Sequence, residues 1–504
     1  MKKKLVSVLL CAAMAATTLA GCGSSSSSSS EAASSAAAES EAATSEAATS
    51  EAASEAGSEA AEATDEAAAD IDWKAYEGTE LNIQFNEHTY ANAVVEKLSD
   101  FEDLTGIKVN YTITPESNYF DKLNTSLSSR SGDPDIFMTG AYQLWQYIGA
   151  GYVEPLDDYL NDATKTAADY NFDDIYDAVA GALRWSGVPG EPAGEGPQYA
   201  LPMGYELNAL AYNMNALDDT QVEKIKTTEG LLEVCKELDG WNGTGSYGIA
   251  VRGSRNWGTI HAGYMTQYTT AGAKDCEVAD DGSLNWLVNS EEAVSITDFW
   301  VQLCQTSTPQ WSTYTWSEAS SDLGAGQAAM LFDATSAAYF QNFEGASDQS
   351  GNIAWSGVPV VNEGDDMISN VWVWSMAMNA DSQNKDAAWY FLQYFTAPEF
   401  TAWAATEGSC IDCARESIAT SDEYAQYVGD EKAMGYTAMF AALIGNAHIT
   451  FTPQPYFEET MTTWAETLQD LVAGGKYSST EEAMNTLKDN LDKTTADVNV
   501  NDYK

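Results

Sequence analysis

The chain has 504 residues, of which 23 are Lys or Arg and 76 are Asp or Glu, for a formal charge of −53. Such a surface repels polyanions, which excludes a nucleic-acid backbone as partner. A hydrophobic share of 44% supplies a sizeable core, and at roughly 150 residues per domain the length allows about two or three structural units.

In chain order, Lys2, Lys3 and Lys4 precede an apolar run from Leu5 to Ala16, the charged and hydrophobic regions of a secretion signal. The run is shorter than the roughly 20 apolar residues that span a bilayer. Leu19-Ala20-Gly21-Cys22 resembles the lipobox of bacterial lipoproteins, in which the Cys is acylated and becomes the first mature residue. The resemblance implies a signal peptide over 1–21, a lipidated Cys22 and an extracytoplasmic, membrane-anchored protein. Residues 22–72 are mostly Ser, Ala, Glu and Thr, with eleven acidic and no basic residues between Gly23 and Asp70. Without large apolar side chains to bury, this stretch is expected to act as a disordered tether. As a flexible coil it would span roughly 35 to 40 Å root-mean-square.

Folding is expected to begin near Trp73. Leu81, Ile83 and Phe85 alternate as in a strand, and Ala91, Val94, Val95, Leu98, Phe101 and Leu104 recur at helical spacing up to Gly106. Ile107, Val109, Tyr111 and Ile113 predict a second strand, Tyr119 to Leu127 a helix, and Asp135 to Thr139 a buried strand. This alternation predicts a parallel α/β sheet, whose ligands sit beyond the carboxyl ends of its strands. Asn86 and His88 after the first strand, and Tyr142 and Gln143 after the third, are thereby candidates for a cleft edge. Further strands are predicted at Leu207 to Tyr212, Tyr247 to Val251, Ala328 to Phe332 and Val371 to Met378. Helices are predicted at Glu229 to Leu238, Ser290 to Cys304 and Lys385 to Phe395, and Ser479 to Glu482 matches a capping box.

Beyond Cys11 and Cys22 the cysteines are Cys235, Cys276, Cys304, Cys410 and Cys413. The C-x-x-C pair at Cys410 and Cys413 has no second pair and no nearby His, so zinc is not expected. A local disulfide and two separately packed thiols both fit the spacing. No cofactor is expected.

Gly132-Asp133-Pro134-Asp135-Ile136-Phe137, Gln198 to Pro202 followed by Ala211-Tyr212-Asn213, Gly326 to Met330, and Lys385 to Leu392 occur in that order. Together they resemble the extracellular solute-binding proteins of ABC importers, in the group related to the maltodextrin-binding protein. The resemblance implies a two-lobed α/β, periplasmic-binding-protein-like fold of class II, its lobes joined by three hinge crossings near Leu201 to Glu206, Asn370 to Trp374 and Gly408 to Arg415. Lobe 1 would comprise 73–205 plus 374–411, and lobe 2 206–373 plus 412–504. A monomer that captures a carbohydrate and passes it to an ABC permease follows, with membrane contact through the lipid anchor.

Sugar recognition needs flat apolar faces and planar polar groups. Glu206 and Tyr205 lie in the first crossing, and Glu206 matches a family position that binds sugar hydroxyls. Trp372 and Trp374, two apart on a strand, point the same way. Arg255 and Trp257 follow a strand and a Gly-Ser turn, and Asp333 stands at a strand's carboxyl end, where it could also cap a helix. Arg415 and Tyr456 match regions that touch ligand in the family. After Ala328 to Phe332 the chain reads Ala334-Thr335-Ser336, where oligosaccharide binders of the family often carry Trp, which argues against a maltodextrin. The alternatives are the same fold around a polyamine, peptide or iron complex, or a cell-surface glycoside hydrolase using paired carboxylates. No G-x-S-x-G, H-E-x-x-H or P-loop pattern occurs, and His88, His261 and His448 are far apart in sequence.

Overall fold

In a computed structural model, residues 71–429 and 434–503 are described. The expected leader, Cys22 and most of the tether lie outside them. Trp73 packs edge-on against Tyr390 and Tyr394. The strands are β1 (Glu80–Asn86), β2 (Lys108–Thr114), β3 (Ile136–Gly140), β4 (Ala200–Asn213), β5 (Tyr247–Ala250), β6 (Cys276–Val278), β7 (Leu284–Trp286), β8 (Ala328–Ala334), β9 (Ile353–Gly357), β10 (Ser369–Met378) and β11 (Ala447–His448).

Nine of them form one mixed sheet in the order β2-β1-β3-β10-β4-β8-β5, with β9 beside β4 and β11 beside β10. The expected parallel pairing holds for β1 with β2 and β3, and for β5 with β8. The centre of the sheet is antiparallel, because β4 and β10 run against each other and against β8 and β3. Both are long, and each is buried along almost its whole length. The first half of β4 pairs β10, and its second half pairs β8 and β9. The segments Leu201 to Glu206 and Asn370 to Trp374, expected as crossings, thus lie inside the continuous strands β4 and β10.

Three local expectations change. The periodic run from Ala91 to Leu104 forms two helices, Thr89–Glu96 and Leu98–Thr105, because Lys97 between them leaves helical geometry with φ −104° and ψ 5°. Tyr111 and Ile113 alternate as predicted but are exposed, since β2 is an edge strand paired only with β1. At the last long helix, Thr480–Thr494, Ser479 caps the backbone, whereas the Glu482 carboxylate accepts from Ser478 rather than closing the box. The five described cysteines, Cys410 and Cys413 included, are free buried thiols, which settles the C-x-x-C spacing as two packed thiols.

Two glycines let the central strands approach their neighbours. A Cβ on Gly140 would lie 1.9 Å from the Trp372 ring, and one on Gly204 would lie 2.2 Å from the Tyr90 ring. Gly140→Ala should therefore push Trp372 from its seat and lower stability by about 1 to 3 kcal/mol, the usual cost of overpacking. Chemical denaturation checks this; an unchanged midpoint would show that the indole is not held there.

Candidate ligand-binding site

The site starts from one register. Glu206 on β4 lies opposite Trp372 on β10, and Gly204 opposite Trp374. Directly opposed residues of an antiparallel pair share a face, and neighbours along a strand alternate. Glu206, Trp372 and Trp374 therefore share one face, and Tyr205 is turned to the other, where its ring meets Tyr176 and Phe440.

That face borders a cavity of about 530 Å³, within the usual range of roughly 300 to 1,000 Å³ for small-molecule sites. Trp372 and Trp374 meet edge to face at 5.1 Å, Trp257 lies 6.1 Å from Trp372, and Phe120 lies 5.9 Å from Trp257. Trp316 and Phe340 complete the aromatic wall. Phe120 comes from the helix Glu116–Ser128 after β2, whereas Trp257 comes from the loop after β5, so segments far apart in the chain meet across the cavity.

The polar wall is built around Arg252. Its Nε donates to Asp333 Oδ2 at 2.8 Å, its Nη2 to Asp333 Oδ1 at 2.5 Å, and its Nη1 to the Gly258 carbonyl at 3.3 Å. Burial works against this charge, but Asp333, Glu206 and Glu116 hold its pKa above the usual value. Asp333 is thus the group that fixes the fork. Glu206 is pushed up to about 8, chiefly by burial, with Arg252 opposing and Asp412, Asp333 and Glu116 adding to the rise. Burial also raises Glu116, against the pull of Arg252 and a 3.4 Å hydrogen bond from Asn86.

His88 is held neutral, lowered to about 3 by burial. Its Nδ1 accepts from the Tyr90 amide and caps the helix Thr89–Glu96. A neutral imidazole with Nδ1 accepting carries its proton on Nε2, which faces Glu206 Oε1 at 3.7 Å. That gap exceeds hydrogen-bond range. A solute hydroxyl approaching this pair from the cavity can receive from the imidazole N–H or give to the carboxyl oxygen.

Of the thirteen expected contact residues, His88, Glu206, Trp257, Trp372 and Trp374 line the cavity. Four stand directly behind it. Asn86 bonds Glu116, Asp333 holds Arg252, Gln143 bonds Glu458, and the Tyr142 hydroxyl donates to Asn370 while its ring packs on Trp372. The structure places the other four elsewhere. Tyr205 follows the strand alternation to the far face. Arg255 is paired outside with Asp470 and Gln469. Arg415 is buried, with its guanidinium on the carbonyls of Tyr170, Asn171 and Thr396. The Tyr456 hydroxyl is taken by Asp497.

Sequence reasoning missed Arg252, Glu116, Phe120, His261 and Glu458. Arg252 was reachable, since it follows β5 and the rule that selected Asp333 applies equally to it. His261 opens a π-helical turn, His261–Met265, behind Trp372, and shares the cavity with His88 despite their distance in sequence.

Residues 82–402 match the model of the bacterial extracellular solute-binding proteins. Over 437 residues, 86% of this chain and 90% of the relative, the sequence is 37% identical to an erythritol/L-threitol-binding protein of Mycolicibacterium smegmatis. The chain belongs to the bacterial extracellular solute-binding family. Two solved ABC-transporter solute-binding proteins share its two-lobed fold. One, from Agrobacterium radiobacter with ribitol, superposes with a TM-score of 0.69 at 19% identity, covering 83% of this chain and 99% of the other. Another, from Agrobacterium vitis with D-mannitol, gives 0.67 at 19% identity with the same coverage.

In this solute-binding protein Glu206 ties stability to pH. Its pKa rises from 4.5 to about 8, so between those values the folded state binds a proton that the unfolded state has released. The contribution of this group to stability therefore falls as pH rises through that window. Glu206→Gln, which mimics the protonated form, should melt close to the unsubstituted protein at pH 5 and a few degrees above it at pH 8.5. An equal shift at both values would show that Glu206 is ionised throughout.

Proposed function

We propose that this protein is the receptor of an ABC importer for a small polyol, held outside the cell on a lipidated Cys22. The observation that supports this most directly is the pairing of an aromatic wall with the Arg252–Asp333 fork and the His88–Glu206 pair in one cavity. CH groups of a polyol lie on the indoles, and its hydroxyls give and receive at the polar wall. The 37% identity to a relative named for erythritol and L-threitol agrees with a short solute. So do the small residues Ala334, Ser336 and Ala337, which line the cavity at the end of β8 and in the helix that follows it.

No catalytic role is assigned. Lobe 1 spans 73–205 plus 374–411 and lobe 2 spans 206–373 plus 412–504, so that β4 and β10 carry two of the three crossings and hinge closure brings Phe120 to Trp257. The receptor works as a monomer and delivers its solute to the permease.

Calorimetry and melting curves with erythritol, L-threitol, ribitol and D-mannitol test the assignment. A solute at 100 times its dissociation constant should add about 2.7 kcal/mol to stability. Trp372→Ala should weaken that solute by tenfold or more. A cationic solute is the second reading, favoured because Glu116, Asp121, Glu206 and Glu458 face the cavity while Arg252 is already paired. Stabilisation by putrescine or spermidine, with no response to any alditol, would decide for it. For the anchor, labelled palmitate should enter the expressed protein and be lost in Cys22→Ser; equal labelling of both would place the acyl chain elsewhere.

A further inference from the structure

The sheet order gives the cavity a direction. Glu206, Trp372 and Trp374 form its floor on β4 and β10, and from β4 the sheet continues outward through β8 to β5. Toward β3 the floor is closed, because Trp372 sits against Gly140. Toward β8 the wall is small, with Ala334, Ser336 and Ala337. A solute seated on the floor indoles therefore has room to lengthen toward β8 and β5.

Trp316 stands across that path. It opens the helix Trp316–Gly324, which Thr315 and Glu318 start with a capping box. Along this helix Ser320 Oγ donates to the Ala337 carbonyl at 2.7 Å and accepts from Gln341 Nε2 at 2.9 Å. One turn later, an added Cβ at Gly324 would strike the Gln341 side chain. The helices Trp316–Gly324 and Thr335–Asn342 thus advance side by side, and one turn before Ser320 the same register brings Trp316 beside the end of β8, at Asp333 and Ala334. On the other side the Tyr314 carbonyl accepts from the amides of Gly253 and Ser254 at 2.9 and 3.1 Å, which fastens the segment entering the helix to the loop after β5.

The backbone at Trp316 is therefore fixed between β8 and β5, whereas the core does not claim its indole. Phe120, Trp257, Trp372, Trp374 and Phe340 each pack on a neighbouring ring. Trp316 is half-buried on the cavity wall and, among the described residues, has no ring partner. Its flat face is available to the CH groups of a solute, and its bulk ends the space that the small residues open.

We propose that Trp316 is the end-stop of the cavity and sets the length of the bound alditol, so that erythritol is retained over ribitol and D-mannitol. The inference rests on the polyol reading given above. A wall that meets one chain unit too many discriminates by roughly tenfold or more.

Calorimetric titration of erythritol, ribitol and D-mannitol into the unsubstituted protein, Trp316→Ala and Trp316→Phe tests it. The unsubstituted protein should bind erythritol at least tenfold more tightly than D-mannitol. Trp316→Ala should weaken erythritol and strengthen D-mannitol, moving the ratio of the two affinities by tenfold or more, with ribitol between them. Trp316→Phe keeps a smaller ring and should move the ratio the same way by a smaller factor, which decides the matter if the Ala variant fails to fold. An equal loss for all three alditols in both variants, or no change in either, would overturn the end-stop and leave the polyol reading standing. So would an unsubstituted protein that binds D-mannitol as tightly as erythritol. An unsubstituted protein that binds none of the three would overturn the polyol reading and the end-stop together.

Discussion

The antiparallel register between β4 and β10 is the constraint on which the site depends. It sets Glu206 opposite Trp372 and Gly204 opposite Trp374, so one strand face carries a carboxyl and two indoles at the middle of the sheet. A slip of one residue would turn all of them away and present Tyr205 and Val373 instead. The close seat of Trp372 against Gly140 locks the same register from the side of β3. On the proposed lobe boundaries both strands also join the halves of the molecule, so that the floor of the cavity and the proposed hinge are one element.

Burial then decides the chemistry. His88 is neutral, Glu206 and Glu116 are raised, and Arg252 keeps its charge through the paired oxygens of Asp333. An isolated charge would be costly in such a place. The result is a wall of hydrogen-bonding groups whose fixed cation is matched by its own partner, suited to a neutral solute. The large negative charge of the chain as a whole acts on solubility and long-range steering, not on this local balance.

What the sequence made legible follows from which periodicities are local. The period of two along β10 announced that Trp372 and Trp374 share a face, and the carboxyl-end rule brought out His88 and Asp333. The five chain-ordered motifs led to the family and its fold. Tyr205 was misplaced because adjacency in sequence was weighed above alternation along β4. Arg255 follows the same strand as Arg252, and the turn between them hides which guanidinium points inward. Glu458 and Gln143 meet only through packing of two helices more than three hundred residues apart in the chain, as the hydrogen bond between them shows, and no local pattern marks such a meeting.

A crystal structure of the protein grown with saturating erythritol tests the central claim most directly. The account predicts solute density in this cavity against the indoles of Trp372 and Trp257, with oxygens within hydrogen-bond range of Arg252 and Glu206. Solute bound outside this cavity, or an empty cavity in a protein that binds the same solute in solution, would contradict it.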